Sequence, residues 1–273
     1  MANEPGIESF EHSNKGVAVS GELLSGRQDN LDVKSGYITF TTPPRLPVGF
    51  HLEAVRDDTE GDIFEGIGGH LYYRYKDWGL VGLAGVKSNI DLAETDAFPA
   101  IENLEVRTYG IELEINIHSF VFALQNGRID SQDLEFEKDY YDQVQLHWFA
   151  SDDWHTVISR HQFANKTTNL LETDYSYVRD KFYYGMYVGG TWDAFENSYI
   201  GLEFGPAARS RGNWVLFLEF DKGEHGYDAV FAGLSIGFGP AESAPVQSLF
   251  DRNNGGYSFI STQSGVSIID EGL

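Results

Sequence analysis

Residues 109–118 read YGIELEINIH, and the alternation within that run decides the fold class. Tyr109, Ile111, Leu113, Ile115 and Ile117 point one way, while Glu112, Glu114, Asn116 and His118 point the other. A strand sends successive side chains to opposite faces, whereas a helix brings residues three and four apart together. A strict period of two therefore predicts a strand with one greasy and one charged face. The period recurs on both sides of this run. It separates Ile67, Leu71, Tyr73 and Tyr75 from His70, Tyr72 and Arg74, and Val144, Leu146 and Trp148 from Gln143, Gln145 and His147. Further on, Trp214, Leu216, Leu218 and Phe220 oppose Val215, Phe217 and Glu219, and Val230, Ala232, Leu234 and Ile236 oppose Phe231, Gly233, Ser235 and Gly237.

The connections order these strands. Short ones are expected at Pro43 to Pro47, Lys76 to Gly79, His118 to Phe120 and Ser151 to Trp154. Longer ones are expected at Asp57 to Asp62, Asp91 to Asn103, Arg128 to Asp139 and from Asn165 onward. Short turns at one end and longer loops at the other are the habit of outer-membrane barrels, and Trp78, Trp148, Phe149 and Trp154 beside the short turns suit a membrane interface. The expectation is an all-β chain forming a closed antiparallel transmembrane β-barrel over residues 16–239. Residues 1–15 are an N-terminal extension and 240–273 a periplasmic or lumen-docked tail. About thirteen segments read as strands, and single-chain bacterial barrels favour even numbers. Removing Phe182 to Trp192 leaves about 12 strands, with the long stretch from Asn165 to Asn197 becoming an outer loop. A soluble β-sandwich that binds a ligand alternates in the same way and is the competing architecture.

Composition narrows the function. With 19 Lys+Arg against 42 Asp+Glu, the net charge of −23 is the wrong sign for nucleic acid. There is no cysteine, which removes thiol catalysis, thiolate metal sites and disulfides. No run of 18 apolar residues provides a transmembrane helix, but a barrel strand needs only about ten alternating residues. The first residues, MANEPGIESFEHSNKG, have no basic start and no apolar stretch, so an exported form is expected to have lost a signal peptide.

Two phrases carry a resemblance. GIGGHLYYRYKDWGLVGLAG at Gly66 to Gly85 resembles a segment of small outer-membrane β-barrel proteins of proteobacteria, and VFAGLSIGFGP at Val230 to Pro240 resembles their last strand. The SLF-DR run at Ser248 to Arg252 is similar to the short periplasmic tail that follows it. That family has no firmly assigned activity. The resemblance therefore implies bacterial outer-membrane location and barrel architecture, and no catalytic residues.

The period assigns the faces. Ile111, Leu113, Ile115, Leu216 and Leu218 are expected against lipid. His51, Glu53, His70, Arg74, Glu112, Glu114, His118, His147, Glu203 and Glu219 are expected to line a polar lumen of net negative character. Such a lining lowers the energy of a cation, as rings of carboxylates do in other pores. The same residues could instead pair with one another and fill the barrel, Arg74 with Glu112 or Glu114 for example. No metal-ligand spacing, calcium-loop pattern or nucleophile elbow occurs, and Ser159-Arg160-His161 is no triad by sequence alone. No cofactor and no catalysis are expected. The leading reading is a passive, cation-preferring channel for small solutes, with outer-membrane lipid as surroundings. A filled structural barrel whose long acidic loops bind a protein partner is the alternative.

Overall fold

The computed structural model describes residues 18–28, 31–42, 46–60, 62–75, 78–94, 100–131, 139–151, 153–179, 182–193, 196–206, 213–223 and 227–238. The extension 1–15, the tail 240–273 and most of the acidic run after Arg128 lie outside them. The described chain is one antiparallel sheet of fourteen strands closed on itself. β1 (Ala18–Gln28), β2 (Leu31–Thr41), β3 (Val48–Thr59), β4 (Asp62–Arg74) and β5 (Gly79–Leu92) form the first part of the wall. β6 (Ile101–Ile117), β7 (Phe120–Ser131), β8 (Tyr140–Ser151), β9 (Trp154–Phe163) and β10 (Lys166–Arg179) continue it. β11 (Phe182–Asp193), β12 (Asn197–Pro206), β13 (Asn213–Gly223) and β14 (Asp228–Phe238) complete it. Each strand pairs with its chain neighbours. β1 also pairs with β14, from Val19 opposite Phe238 to Gln28 opposite Ala229. Closure leaves no strand edge with unpaired backbone groups. It also rules out the two-sheet sandwich.

The count exceeds the expected twelve because the stretch between Asn165 and Asn197 holds two wall strands, β10 and β11, and no outer loop. β10 hides its period. It places Leu170 inward and Leu171 outward, with polar residues on both faces, so neither face reads as greasy. Two of the loops expected to be long are tight. β3 ends at Thr59 and β4 starts at Asp62, and β9 passes to β10 through Ala164 and Asn165. Glu60 and Ala164 turn these corners with positive φ (49° and 48°).

An even strand number puts Ala18 and Phe238 at the same end, here the near rim, with the turn His118–Ser119. The Ala164–Asn165 turn marks the opposite, far rim. His118 is exposed at φ 54°, a hairpin corner residue that the alternation of β6 does not reach. It does not line the interior, contrary to the expectation.

The outward face is apolar in its middle. Ile111, Leu113, Leu216 and Leu218 are exposed on it and Ile115 is half-buried. Below this belt, toward the near rim, runs a girdle of rings. Phe120 stacks on Trp148 at 6.4 Å, Phe182 on Phe204 at 5.2 Å, and Phe204 meets Trp214 edge-on at 6.0 Å. Trp78 and Tyr75 are exposed at the same level.

Candidate functional site

The inward faces of the wall divide into two parts. Along β3–β9 they are sealed. A polar layer at mid-height lies between apolar clusters: Val55, Phe64, Ile90, Leu104 and Tyr141 with neighbours toward the far rim, and Tyr72, Leu80, Val121, Ala123 and Phe149 toward the near rim. Tyr141 fits because Gly110 and Gly127 face it. A Cβ on Gly127 would stand 2.3 Å from the backbone oxygen of Tyr109 and 2.5 Å from the Tyr141 ring.

Within the polar layer the expected residues meet as partners. His70 Nδ1 lies 2.7 Å from Glu112 Oε2, and its Nε2 lies 3.9 Å from Glu53 Oε1. The side chains of all three have 0% exposure. Glu53 also accepts from Tyr37 Oη at 2.9 Å, and Thr41 Oγ1 lies 2.7 Å from His51 Nδ1, whose ring meets that of His70 edge-on at 5.6 Å. A buried carboxylate is tolerated only with such partners, because the interior cannot replace its hydration. Arg74 donates to Leu46 O at 3.1 Å and Tyr72 Oη at 2.9 Å and stacks its guanidinium over the Tyr72 ring. Glu114 is buried beside Leu80 at the same register level. The histidine that binds Glu112 was thus not the partner expected from sequence. His147 is buried as well, and a chain runs from it to His155 (2.9 Å) and on to Asp174 (2.6 Å).

Along β10–β13 and β1 the inward side chains are mostly half-buried and polar, while Val33 on β2 and Ala229 and Phe231 on β14 form a small buried apolar cluster toward the far rim. Tyr183 donates to Glu203 at 2.7 Å, Tyr187 to Glu219 at 2.7 Å and Tyr199 to Glu172 at 2.5 Å. The Tyr187 ring lies flat over Gly201, where a Cβ would stand 1.9 Å from it. Glu22 on β1, two strands from β13 and three from β12, comes within electrostatic range of Glu203 and Glu219. Asp174 and Asp221 face inward too, by their register with His155 and Tyr199. Among the described residues the one Lys or Arg on this inward face is Lys166, at the far rim.

The structure thus leaves Glu203 and Glu219 half-buried and puts His51, Glu53, His70, Arg74, Glu112, Glu114 and His147 in packed interior. It adds Glu22, Glu172, Tyr183, Tyr187 and Tyr199, which the sequence reading missed. The signal for Glu22 was the Ser20-Glu22-Leu24 alternation of β1. Glu172, Tyr183 and Tyr187 lay inside the stretch read as loop. Ser159 and His161 share the inward face of β9 and make no hydrogen bond to each other, so no nucleophile and base are joined there. Among the described residues no group of three or more acidic or histidine side chains is set to hold a metal ion.

The architecture has counterparts. The chain is similar to the CymD monoaromatic hydrocarbon channel, at 8% identity and TM-score 0.54, over 82% of this chain and 87% of that one. The chain shares the closed β-barrel fold of that protein. It is also similar to the outer membrane protein Omp33 of Acinetobacter baumannii, at 12% identity and TM-score 0.50, over 82% of this chain and 97% of that one. No protein-family model and no curated protein matches the sequence.

Proposed function

We propose that the protein is a passive channel of the bacterial outer membrane for small solutes, with an off-centre passage along β10–β14, β1 and β2 that favours cations. The observation that carries this reading is the contrast in exposure between the two inward faces: His70, Glu53 and Glu112 are sealed, while Glu22, Glu172, Glu203 and Glu219 keep a water-accessible side. The exposed apolar belt and the girdle of Trp, Tyr and Phe match a strand wall in lipid. In this reading the near rim, which holds both ends of the barrel wall, faces the periplasm. Carboxylates facing a passage with no Lys or Arg at mid-height among the described residues lower the energy of a cation there and raise that of an anion.

The sealed interior of β3–β9 favours a second reading, a filled structural barrel. Planar bilayer recording separates the two. A channel with a reversal potential on the cation side under a salt gradient supports the proposal. Absence of any conductance from folded protein supports the filled barrel, and anion preference contradicts the assigned passage.

A further inference from the structure

Among the described residues the basic side chains are placed unevenly. The described residues contain eleven Lys and Arg, of which only Arg74 and Lys166 face inward. Arg179 is outward at the near rim. The other eight are outward and exposed on the far side of the apolar belt. On β1, β2 and β3 they are Arg27, Lys34 and Arg56. On β5, β6 and β7 they are Lys87, Arg107 and Arg128, and Arg160 and Lys222 stand on β9 and β13. On each of these eight strands the first charge met on leaving the belt is positive. Carboxylates follow one step further out, Asp32 beyond Lys34, Asp58 beyond Arg56, Glu105 beyond Arg107 and Asp130 beyond Arg128.

This order is not what solubility requires in a chain of net charge −23. Pairing within the wall accounts for Arg27 with Asp32 and for Arg56 with Glu65, but not for the cluster on β5, β6 and β7. Lys87 and Arg107 stand directly opposite each other in register, an unfavourable placement for like charges. They share one carboxylate, Glu105, and remain about half exposed. Arg128 follows on the next strand, in register with Tyr109, with an ion pair of its own to Asp139. Long basic side chains at the edge of an apolar belt lay their methylenes on it and hold the charge at headgroup level.

We infer that this collar binds the phosphates of an anionic lipid in the leaflet at the far rim, with Lys87, Arg107 and Arg128 as its strongest site. The inference rests on the reading that the belt lies in a membrane. Arginine engages phosphate through two parallel N–H bonds, and two such groups with a lysine fit a lipid carrying more than one phosphate. Among the described residues the near rim carries aromatic rings and Arg179, and no such cluster.

The test uses the folded full chain in neutral detergent and native mass spectrometry, with diphosphoryl lipid A and monophosphoryl lipid A as probes. The parent is expected to retain the diphosphoryl form preferentially. K87Q/R107Q/R128Q should weaken that retention by about 5-fold for each cation removed, on the order of 100-fold in all. R179Q should leave it unchanged. If the triple variant fails to fold, as judged by migration of unheated and boiled samples, K87Q and R107Q each carry the about 5-fold expectation. Equal retention by parent and triple variant overturns the collar, as does an equal loss in R179Q. Conductance of the same samples keeps the two readings apart. A parent that conducts but binds both lipids alike loses the collar only, and one that binds selectively but never conducts loses the channel only.

Discussion

The interior of β3–β9 and the interior of β10–β14 with β1 and β2 both place carboxylates and tyrosines on the inward face, yet only the first is sealed. The difference lies in what accompanies the carboxylates. In the sealed part, His70 stands between Glu112 and Glu53, and apolar clusters close the layer toward both rims. In the open part, each of Glu172, Glu203 and Glu219 receives one tyrosine hydroxyl. Lys and Arg are absent from mid-height there among the described residues. A tyrosine hydroxyl, with Asp221 beside Glu219, replaces the hydration of a carboxylate only in part, which is the physical ground for proposing that this side stays wet. In the proposed reading, charge balance across the interior divides the barrel into a wall that is filled and a wall along which ions pass.

The largest expected effect breaks the sealed part. His70→Ala removes the shared partner of two fully buried carboxylates and should cost about 3 to 5 kcal/mol. Tyr187→Phe in the open part, where water can reach Glu219, should cost only about 1 kcal/mol. Urea unfolding in lipid vesicles measures both, and equal costs would erase the distinction. Outside, the two parts should be alike. Leu113→Arg on β6 and Leu218→Arg on β13 are each expected to cost about 2 to 4 kcal/mol near the midplane. A harmless Arg at either position would show that its face is not in hydrocarbon.

A smaller effect sharpens the contrast through two glycines that receive a ring. Gly127→Ala drives a methyl against the Tyr109 carbonyl and the buried Tyr141 ring and should cost about 1 to 3 kcal/mol. At Gly201 the nearest atoms to an added methyl belong to the Tyr187 ring, which can swing toward the proposed passage. Gly201→Ala should cost less than about 1 kcal/mol and should lower single-channel conductance. The same unfolding series and a bilayer recording check both.

Much of this was legible in sequence. The period of two assigned the outward and inward faces of β4, β6, β8, β13 and β14, because one face of each is dominated by Leu, Ile, Val or aromatic residues. It failed at β10, where Leu170 and Leu171 fall on opposite faces and Thr, Asn and Asp occupy both. Losing β10 also turned β11 into loop, which cost the strand number and the Tyr–Glu pairs between β10 and β13. His118 followed the alternation by number alone, one residue past the point where the chain turns. Which inward carboxylates meet water could not be read at all. It depends on the partner each carboxylate meets on another strand, such as His70 on β4 for Glu112 on β6 and Tyr183 on β11 for Glu203 on β12, and the alternation along a single strand does not report those partners.

The division of the interior is tested most directly by the reversal potential of purified protein in a planar bilayer under a salt gradient, compared for the parent and two double variants. Glu203→Gln with Glu219→Gln should reduce the cation preference, because those side chains face the passage. Glu112→Gln with Glu114→Gln should leave the reversal potential where it is, whatever it does to stability, because those side chains are sealed. The opposite pattern, selectivity lost with Glu112 and Glu114 and kept without Glu203 and Glu219, would place the passage in the part of the barrel described here as filled.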